Sequence, residues 1–482
     1  MTPTTDAATN RFPPQIKFII GNEACERFSY YGIRSILALY ISTELFKFLP
    51  VGQARDRATE IIHLFIFANY FMPLLGAWLS DKLWGRYNTI LYISLIYCLG
   101  NLTLALTVGN VWGLYLGLFL IAVGSGGIKP CVSAFCGDQF RPEQSHLLQK
   151  AYGLFYWSIN FGSFFSFLVI PWVKDKRGYA LAFGVPGILM LLATLIFWLG
   201  RKRYTRMPPA RETKSAGYFK VTWHALKNRG RRKNGQTMWD VARERFSERE
   251  VAAARSVGPI LTVFAPITIF WALFDQTTST WVMQGTRMTP VPLVRSFVIG
   301  AEQMQSMNPA LVMMLVPLTL WLYPRIQGWF GVRVTPLRRM GTGMLLAGFS
   351  YVVVGFLQTQ VDAGARLSVL WQTLPYFILT TAEVLISTTG LEFAFTQAAP
   401  EMKSTIMSFW LLTVAVGNLF VPLITKFKGY VISEPVGAVG GHAVSASTFH
   451  LYAGLTFVIA VVFVAIAMRY QERQFQAEPA GR

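Results

Sequence analysis

The chain has 482 residues, of which 53% are hydrophobic and only 14% are Asp, Glu, Lys or Arg, whereas soluble domains carry about 25% charged residues. Several apolar runs reach the ~20 residues that a helix needs to cross a bilayer. A soluble globular protein is therefore excluded. The net charge of +20 does not indicate nucleic-acid binding, because sixteen of the basic residues lie between positions 201 and 255 and no nucleic-acid-binding motif accompanies them.

Twelve apolar segments are long enough to be membrane spans. The first six are 16–41, 60–80, 87–108, 112–136, 151–173 and 178–200, and the second six are 258–280, 308–325, 336–357, 369–393, 403–425 and 449–469. We therefore divide the chain into an N-terminal bundle (1–200), a basic linker (201–257) and a C-terminal bundle (258–482).

The basic linker predicts the orientation of the protein in its membrane. Lys and Arg accumulate in cytoplasmic loops, and an even number of spans returns both termini to the same side, so we expect both termini in the cytoplasm. Anionic lipid headgroups are a further expected contact of this linker. Within it, TMWDVARERFSEREVAAA predicts one amphipathic helix. The first fifteen residues are polar and show no signal-peptide pattern, so the first apolar run is expected to remain as the first span.

The segment after the second span, GAWLSDKLWGRY, resembles the signature GxxxDxxxGR of the short cytoplasmic loop in the major facilitator superfamily, with one more residue between the first glycine and the aspartate. The matching residues are Gly76, Asp81, Gly85 and Arg86. The alternative is that Asp81 and Arg86 are ordinary loop charges. With six spans on each side of the linker, the motif predicts an all-α membrane protein of twelve transmembrane helices in two six-helix bundles, facing each other across a central cavity.

The first span contains GNEACERFSYYGIR, in which four charges lie within an apolar run. On an α-helix the polar side chains fall within an arc of roughly 140°; they are Glu23, Glu26, Arg27, Tyr30, Tyr31 and Arg34. Each charge at the bilayer centre costs about 2.5–3.5 kcal/mol, so this face is expected to line a wet interior. Glu23 and Arg27 are four residues apart and can pair. The alternative is an internal ion pair that only holds helices together.

Further polar residues lie inside the predicted spans: His63, Tyr70, Lys129, Asn160, Asp275, Asn308, Glu383 and Glu392. Lys129 lies in GSGGIKP and is expected to keep its charge only beside a carboxylate such as Glu23 or Glu26. Asp275 has no cation within one turn of its own helix, so it is a candidate for proton binding and release. His63 is a second candidate, for which a packing role is the alternative.

Several of these motifs resemble those of the proton-dependent oligopeptide transporter (POT, also PTR) family of the major facilitator superfamily. GNEACERFSYYG resembles ExxERFxYYG, GSGGIKPCVSAFCGDQF resembles GxGGIKPxVxxFxxDQF, and FYWSINFGS resembles FYxxINxGS. FWALFDQ and EVLISTTGLEFAFTQAAPEMKS resemble the family's seventh and tenth spans. Together these motifs extend over both halves of the chain, from residue 22 to about 418.

This resemblance implies a proton-coupled symporter that imports di- and tripeptides across the cytoplasmic membrane by alternating access. It implies that Arg27, Arg34 and Lys129 bind the peptide carboxylate and that Asn160, Asn308 and Glu383 meet its amino end. The implied side-chain pocket consists of Tyr30, Tyr31, Tyr70, Trp281 and Trp410. The implied proton-coupling residues are Glu23, Glu26, Arg27, Lys129 and Asp275, together with His63.

The chain departs from the animal peptide transporters at Thr280, where they carry an arginine, whereas His63 matches a histidine that they use in proton coupling. Two alternatives stay open: a carrier of nitrate or another substrate, and a peptide sensor on the same fold. An enzyme is not expected, because the sequence has neither HExxH nor GxSxG. We expect no metal or cofactor apart from transported protons, no nucleic-acid partner, and a monomer in the inner membrane of a bacterium.

Overall fold

The computed structural model of the chain describes residues 11–209, 217–232, 235–294, 297–331, 333–399, 402–431 and 444–471. The N-terminal half contains seven helices. They are α1 (Ile16–Leu39), α2 (Val51–Phe71), α3 (Pro73–Leu79), α4 (Gly85–Leu106), α5 (Val111–Gly137), α6 (Ser145–Arg177) and α7 (Tyr179–Leu199). The turn Tyr40–Leu45 continues α1 as a wider π-helical turn with i→i+5 hydrogen bonds. Between the halves lie α8 (Tyr218–Lys227) and α9 (Met238–Ala242).

The C-terminal half contains eight helices and one β-hairpin. The helices are α10 (Glu248–Phe264), α11 (Ile267–Phe274), α12 (Thr280–Gly285), α13 (Met307–Phe330), α14 (Pro336–Asp362), α15 (Thr373–Gln397), α16 (Lys403–Val431) and α17 (Ala446–Arg469). The hairpin pairs β1 (Val291–Val294) with β2 (Phe297–Ile299) in antiparallel fashion. We call the end of the molecule that carries this hairpin the hairpin side, and the end that carries α8 and α9 the linker side.

These helices form the twelve predicted spans. Nine helical stretches within the described residues are long and apolar enough to cross a membrane, or ten when the bent stretch from α10 to α12 is one span. The stretch Val51–Leu106 has 56 residues, about 84 Å of helix, and therefore contains two crossings of a hydrocarbon layer ~30 Å thick. The twelfth span is α1, which is long enough but carries the charged face. The predicted all-α fold of two six-helix bundles is confirmed.

Two helix boundaries in the linker region differ from the prediction. The seventh span begins at Glu248, ten residues before its predicted start, because Ser247 and Glu250 form a reciprocal N-terminal cap. The predicted single amphipathic helix is broken, since α9 ends at Ala242 and α10 begins after that cap. The seventh span also bends by 47° between α10 and α11, where Pro266 supplies no backbone N–H.

The bundles meet most closely in the middle and on the hairpin side of the molecule. There α2 packs against α16, and α6 packs against α13. Within the N-terminal bundle, close helix contact depends on glycines: a Cβ on Gly76 would lie 2.0 Å from the Gly127 carbonyl oxygen. Gly76 therefore lies in a helix contact between α3 and α5, whereas the loop itself turns at Gly85, whose φ of +73° suits glycine.

Candidate functional site

A cavity of about 140 Å³ lies between the two bundles. Its polar lining residues include Tyr31, Arg34, Tyr70, Tyr156, Asn160, Asp275, Gln305, Asn308 and Glu383. They come from α1, α2 and α6 of one bundle, and from the break after α11, the approach to α13, α13 itself and α15 of the other. The packing thus brings one predicted carboxylate-binding residue, all three predicted amino-end residues and one predicted proton-coupling residue into one space.

The predicted carboxylate-binding residue in this cavity, Arg34, is paired with Asp275. Both side chains are buried, and Arg34 also donates to the Thr278 hydroxyl at 3.2 Å. Asp275 has no cation within one turn of its own helix. Its cationic partner is Arg34 of α1, which lies 241 positions away in the sequence. Because the two residues belong to different bundles, this ion pair joins the halves at the cavity wall.

A hydrogen-bonded chain continues from Asp275 into the interface. Asn418 Nδ2 donates to Asp275 Oδ2 at 2.7 Å, and Asn418 Oδ1 lies 2.7 Å from His63 Nδ1. His63 Nε2 in turn lies 2.9 Å from the Ser279 hydroxyl. His63 is thus fully buried with both ring nitrogens partnered. It is connected to Asp275 through a single amide.

The predicted amino-end residues lie in the same cavity. Asn308 Nδ2 donates to Glu383 Oε2 at 2.6 Å and to the Thr380 hydroxyl at 3.2 Å. Glu383 forms no ion pair with any described residue. Asn160 Nδ2 donates to the Tyr156 carbonyl oxygen at 3.0 Å. A buried carboxylate without a cationic partner is a suitable acceptor for a ligand ammonium group.

The charged residues on the linker side of α1 pair with one another. Arg27 Nε lies 3.1 Å from Glu23 Oε1, which is the pair predicted from the i,i+4 spacing, and Arg27 also pairs with Glu26. Ser125 donates to Glu26 Oε1 at 2.9 Å. Arg27 therefore already has two carboxylate partners and does not line the cavity that contains Arg34.

Lys129 lies in a second cavity, of about 330 Å³, toward the linker side. Its Nζ donates to Asn69 Oδ1 at 2.5 Å and lies 4.8 Å and 4.1 Å from the ring centroids of Tyr30 and Tyr70. No described carboxylate forms an ion pair with it, so an amide and two aromatic faces take the place of the expected Glu23 or Glu26. Trp410 lines this cavity, and Tyr70 lines both.

Two residues predicted for the side-chain pocket lie outside both cavities. Trp281 is fully buried and packs edge-to-face on Tyr376, at 4.9 Å between ring centroids, in the core of the C-terminal bundle. Tyr30 is also fully buried, between Tyr31 and Phe65. Trp281 is therefore a packing residue in this arrangement, and Tyr30 reaches the second cavity only through its contact with Lys129.

The predicted loop motif stabilises the linker side of the N-terminal bundle. Arg86 Nη1 lies 2.5 Å from Asp138 at the end of α5. Asp81 lies in the turn that precedes Gly85.

On the hairpin side, polar contacts hold the two bundles together. Lys174 at the end of α6 pairs with Glu302, just before α13, and with its neighbour Asp175 at 3.1 Å. Lys426 of α16 lies 3.7 Å from Glu60 of α2. These contacts thus join the two bundles on the hairpin side of the first cavity.

The polar residues of the site that were not predicted include Asn69, Tyr156, Gln305 and Asn418. Asn69 and Asn418 are polar residues within apolar spans, so the same signal that selected Asn160 could have identified them. Tyr156 and Gln305 carry no such signal. Tyr156 is aromatic and Gln305 lies near the end of a span, and both aromatic residues and polar residues at span ends are common in membrane proteins. No group of His, Cys, Asp or Glu within the described part of the chain could hold a metal ion.

Comparison with known proteins gives one consistent family. A family model described as "PTR2: POT family" matches residues 87–433. The crystal structure of the POT family transporter PepTSo has 40% identity to this chain and a TM-score of 0.87, and the match covers 95% of this chain and 98% of that one. An auto inhibited POT family peptide transporter has 37% identity and a TM-score of 0.87, with 97% and 99% coverage.

Similar sequences include "Peptide transporter 3" of Caenorhabditis elegans, 39% identical over 372 residues, which are 73% of this chain and 51% of that protein. "Solute carrier family 15 member 2" of Homo sapiens is 36% identical over 379 residues, which are 75% of this chain and 51% of that protein. This chain thus spans about half the length of these two relatives.

Proposed function

This chain belongs to the POT family of transporters, and we propose that it is a proton-coupled symporter that imports di- and tripeptides by alternating access. The observation that carries this proposal is the cavity between the bundles. It contains a guanidinium group, Arg34, and a carboxylate without a cationic partner, Glu383. These are the complements of the two charged ends of a peptide. The names of the related peptide transporters support the same substrate class.

We assign the peptide carboxylate to Arg34, and to Arg27 and Lys129 in the states in which the cavities join. A guanidinium group can bind a carboxylate through two parallel hydrogen bonds. In this arrangement the Arg34 guanidinium group forms an ion pair with Asp275. A peptide carboxylate therefore competes with Asp275 for the same cation, which favours protonation of Asp275 and links substrate binding to proton binding.

We assign the peptide ammonium group to Glu383, with Asn308 and Asn160 as hydrogen-bonding partners. Glu383 already accepts from Asn308 and keeps its other carboxylate oxygen for the ligand. The side-chain pocket then consists of Tyr31, Tyr70 and Trp410, which line the two cavities.

The size of the cavities indicates that the bundles must move for a peptide to bind. The first cavity, at about 140 Å³, is smaller than the ~300 Å³ at which typical ligand pockets begin. The second, at about 330 Å³, reaches that size, and Tyr70 lines both. We propose that movement of Tyr70 and separation of the bundles on the linker side join the two spaces.

Proton movement supplies the driving force in this proposal. One proton moving inward yields about 2.3 kcal/mol per 100 mV, which supports about fiftyfold accumulation of a peptide if coupling is tight. We place the proton on Asp275, in connection with His63 through Asn418, and on the cluster of Glu23, Glu26, Arg27 and Lys129. Protonation of Asp275 would release Arg34 and weaken the contact between the bundles.

The same proposal includes a cell-membrane location, both termini in the cytoplasm, and function as a monomer without a cofactor. The basic linker supports the orientation. The division into residues 1–200, 201–257 and 258–482 is the corresponding domain proposal, with 1–200 and 258–482 as the moving bodies.

Substrates blocked at one end test the two terminus assignments separately. Proteoliposomes containing the full chain would be compared for uptake of dialanine, N-acetyl-dialanine and dialanine amide. A hydrogen bond to a charged group contributes about 1.5–3 kcal/mol, so the parent should prefer the free ammonium by about 10- to 150-fold. Glu383→Gln should lose most of that preference and keep its preference for the free carboxylate. Equal preference for the ammonium in parent and variant would reject the assignment of Glu383.

A further inference from the structure

A large cavity lies outside the proposed transport pathway, on the linker side of the C-terminal bundle. It is a groove of about 880 Å³ between α13, α14, α15 and α17. Most of its wall is apolar and includes Leu322, Leu345, Leu385 and Val464. Its outer edge includes Met468, which is 77% exposed. A groove of this kind on the outside of a membrane bundle opens to lipid.

One end of the groove is strongly basic. Arg333, Arg338 and Arg339 line it where α14 begins. Arg339 pairs with Glu392 at 2.7 Å, whereas Arg338 donates to the Arg333 carbonyl oxygen at 2.9 Å and neither of these two pairs with a described carboxylate. The mouth of the groove therefore carries a net charge of about +2, and the N-terminus of α14 adds a partial positive charge of about +0.5.

Two hydrogen-bond donors inside this basic end have no acceptor. Arg339 Nε and the Tyr323 hydroxyl are both buried and form no hydrogen bond. They lie close together, since the Arg339 guanidinium is 4.9 Å from the Tyr323 ring centroid. Buried donors are nearly always satisfied in folded proteins, and leaving one unsatisfied is unfavourable. An anionic oxygen that reached either donor would satisfy it.

From these observations we propose that the groove binds an anionic phospholipid of the leaflet on the linker side. Its phosphate group lies among Arg333, Arg338 and Arg339, and one acyl chain lies along the apolar wall. The depth agrees: from Arg338 to Leu345 the helix rises about 10 Å, within the ~15 Å thickness of one hydrocarbon leaflet. Basic pockets between helices are suited to anionic headgroups. A free anion would satisfy the donors but would leave the apolar wall exposed.

Lipid binding to the purified full chain tests this proposal. Native mass spectrometry would measure retention of phosphatidylglycerol and phosphatidylcholine by the parent and by the double variant Arg333→Gln/Arg338→Gln. Each arginine near an anionic lipid contributes about fivefold in affinity, so the double variant should bind phosphatidylglycerol about thirtyfold more weakly. The matched control, Lys176→Gln/Arg177→Gln, removes two charges from exposed positions at the end of α6, on the hairpin side and away from the groove, and should bind within about threefold of the parent.

A second variant and a second readout separate the apolar contribution from the charge. Leu345→Trp should fill the groove and weaken phosphatidylglycerol binding without any change of charge. Added phosphatidylglycerol should raise the unfolding temperature of the parent more than that of either groove variant. Inorganic phosphate should raise the unfolding temperature of none of them.

Four results would overturn the proposal. They are equal retention in the groove and control double variants, equal retention of the two lipids by the parent, protection by inorganic phosphate equal to that by lipid, and a concentration-dependent dimer that only the groove variants lose. None of these measurements depends on peptide transport, so they stand apart from the proposed function.

Discussion

The ion pair between Lys174 and Glu302 joins the two bundles on the hairpin side, and Glu302→Gln removes its negative charge with little change of shape. The two side chains are 13% and 3% exposed. The pair is therefore closer to a buried pair than to an exposed one. Removal of one partner from a buried pair costs about 3–5 kcal/mol, whereas an exposed pair contributes about 0–1 kcal/mol. Because Asp175 remains 3.1 Å from the ammonium, we expect a loss near the lower value, about 3 kcal/mol.

This loss acts only on the closed arrangement, since water solvates both groups once the bundles part on that side. A change of about 3 kcal/mol alters the ratio of closed to open molecules about 150-fold, which would move a mixture of about 99:1 to roughly equal populations. Double electron–electron resonance between spin labels at Lys176→Cys and Arg366→Cys, without the four native cysteines, would report this shift as a new, longer distance. Both labelled positions are exposed on the hairpin side.

The matched control is Asp362→Asn. Asp362 is 42% exposed and pairs with Arg287 at 2.5 Å within the C-terminal bundle, so its loss should leave the distances between the bundles unchanged. Exchanging the charges, Lys174→Glu with Glu302→Lys, should restore part of the closed population. A distance distribution for Glu302→Gln identical to that of the parent would refute the reasoning that this pair holds the hairpin side closed.

Three further predictions follow from particular contacts. Gly76→Ala places a Cβ 2.0 Å from the Gly127 carbonyl oxygen and should destabilise the protein by about 1–3 kcal/mol in thermal unfolding, whereas Gly153→Ala meets no atom within 4 Å and should not destabilise it. Asn418→Ala breaks the link between the buried carboxylate and imidazole, so gradient-driven uptake should fall while peptide exchange without a gradient persists; equal loss of both would contradict this role. Tyr70→Phe keeps an aromatic face over the buried ammonium and should preserve uptake, whereas Tyr70→Leu should raise the half-saturating peptide concentration by about 2- to 30-fold; identical values in the two variants would exclude that contact.

The membrane fold and the charged face of α1 could be predicted from the sequence because both depend on local spacing. Twelve apolar segments of sufficient length predict twelve spans, and a spacing of four residues predicts the pair between Glu23 and Arg27, which is present at 3.1 Å. The predicted site set of Arg34, Asn160, Asn308 and Glu383 also comes together in one cavity. Their roles in binding remain predictions.

The contacts that depend on helix packing could not be predicted in this way. Arg34 and Asp275 are 241 positions apart, and no local pattern specifies that α1 and the break after α11 meet. For the same reason the partner of Lys129 is Asn69 on the facing helix rather than a glutamate of α1. Trp281 lies in the core because its helix turns it toward Tyr376. The break before α10 follows from the cap at Ser247, a local signal within the predicted amphipathic segment that favours a helix start.

In the proposed function, protons drive the entry of peptides. Uptake of labelled dialanine into proteoliposomes containing this protein alone tests proton-driven entry most directly. Uptake would be measured with an inward proton gradient and with the gradient collapsed by an ionophore, for the parent and for Lys129→Ala. We expect accumulation that needs the gradient and is lost in the variant. Failure of the parent to accumulate dialanine under the gradient, with nitrate flux or peptide binding present instead, would contradict it.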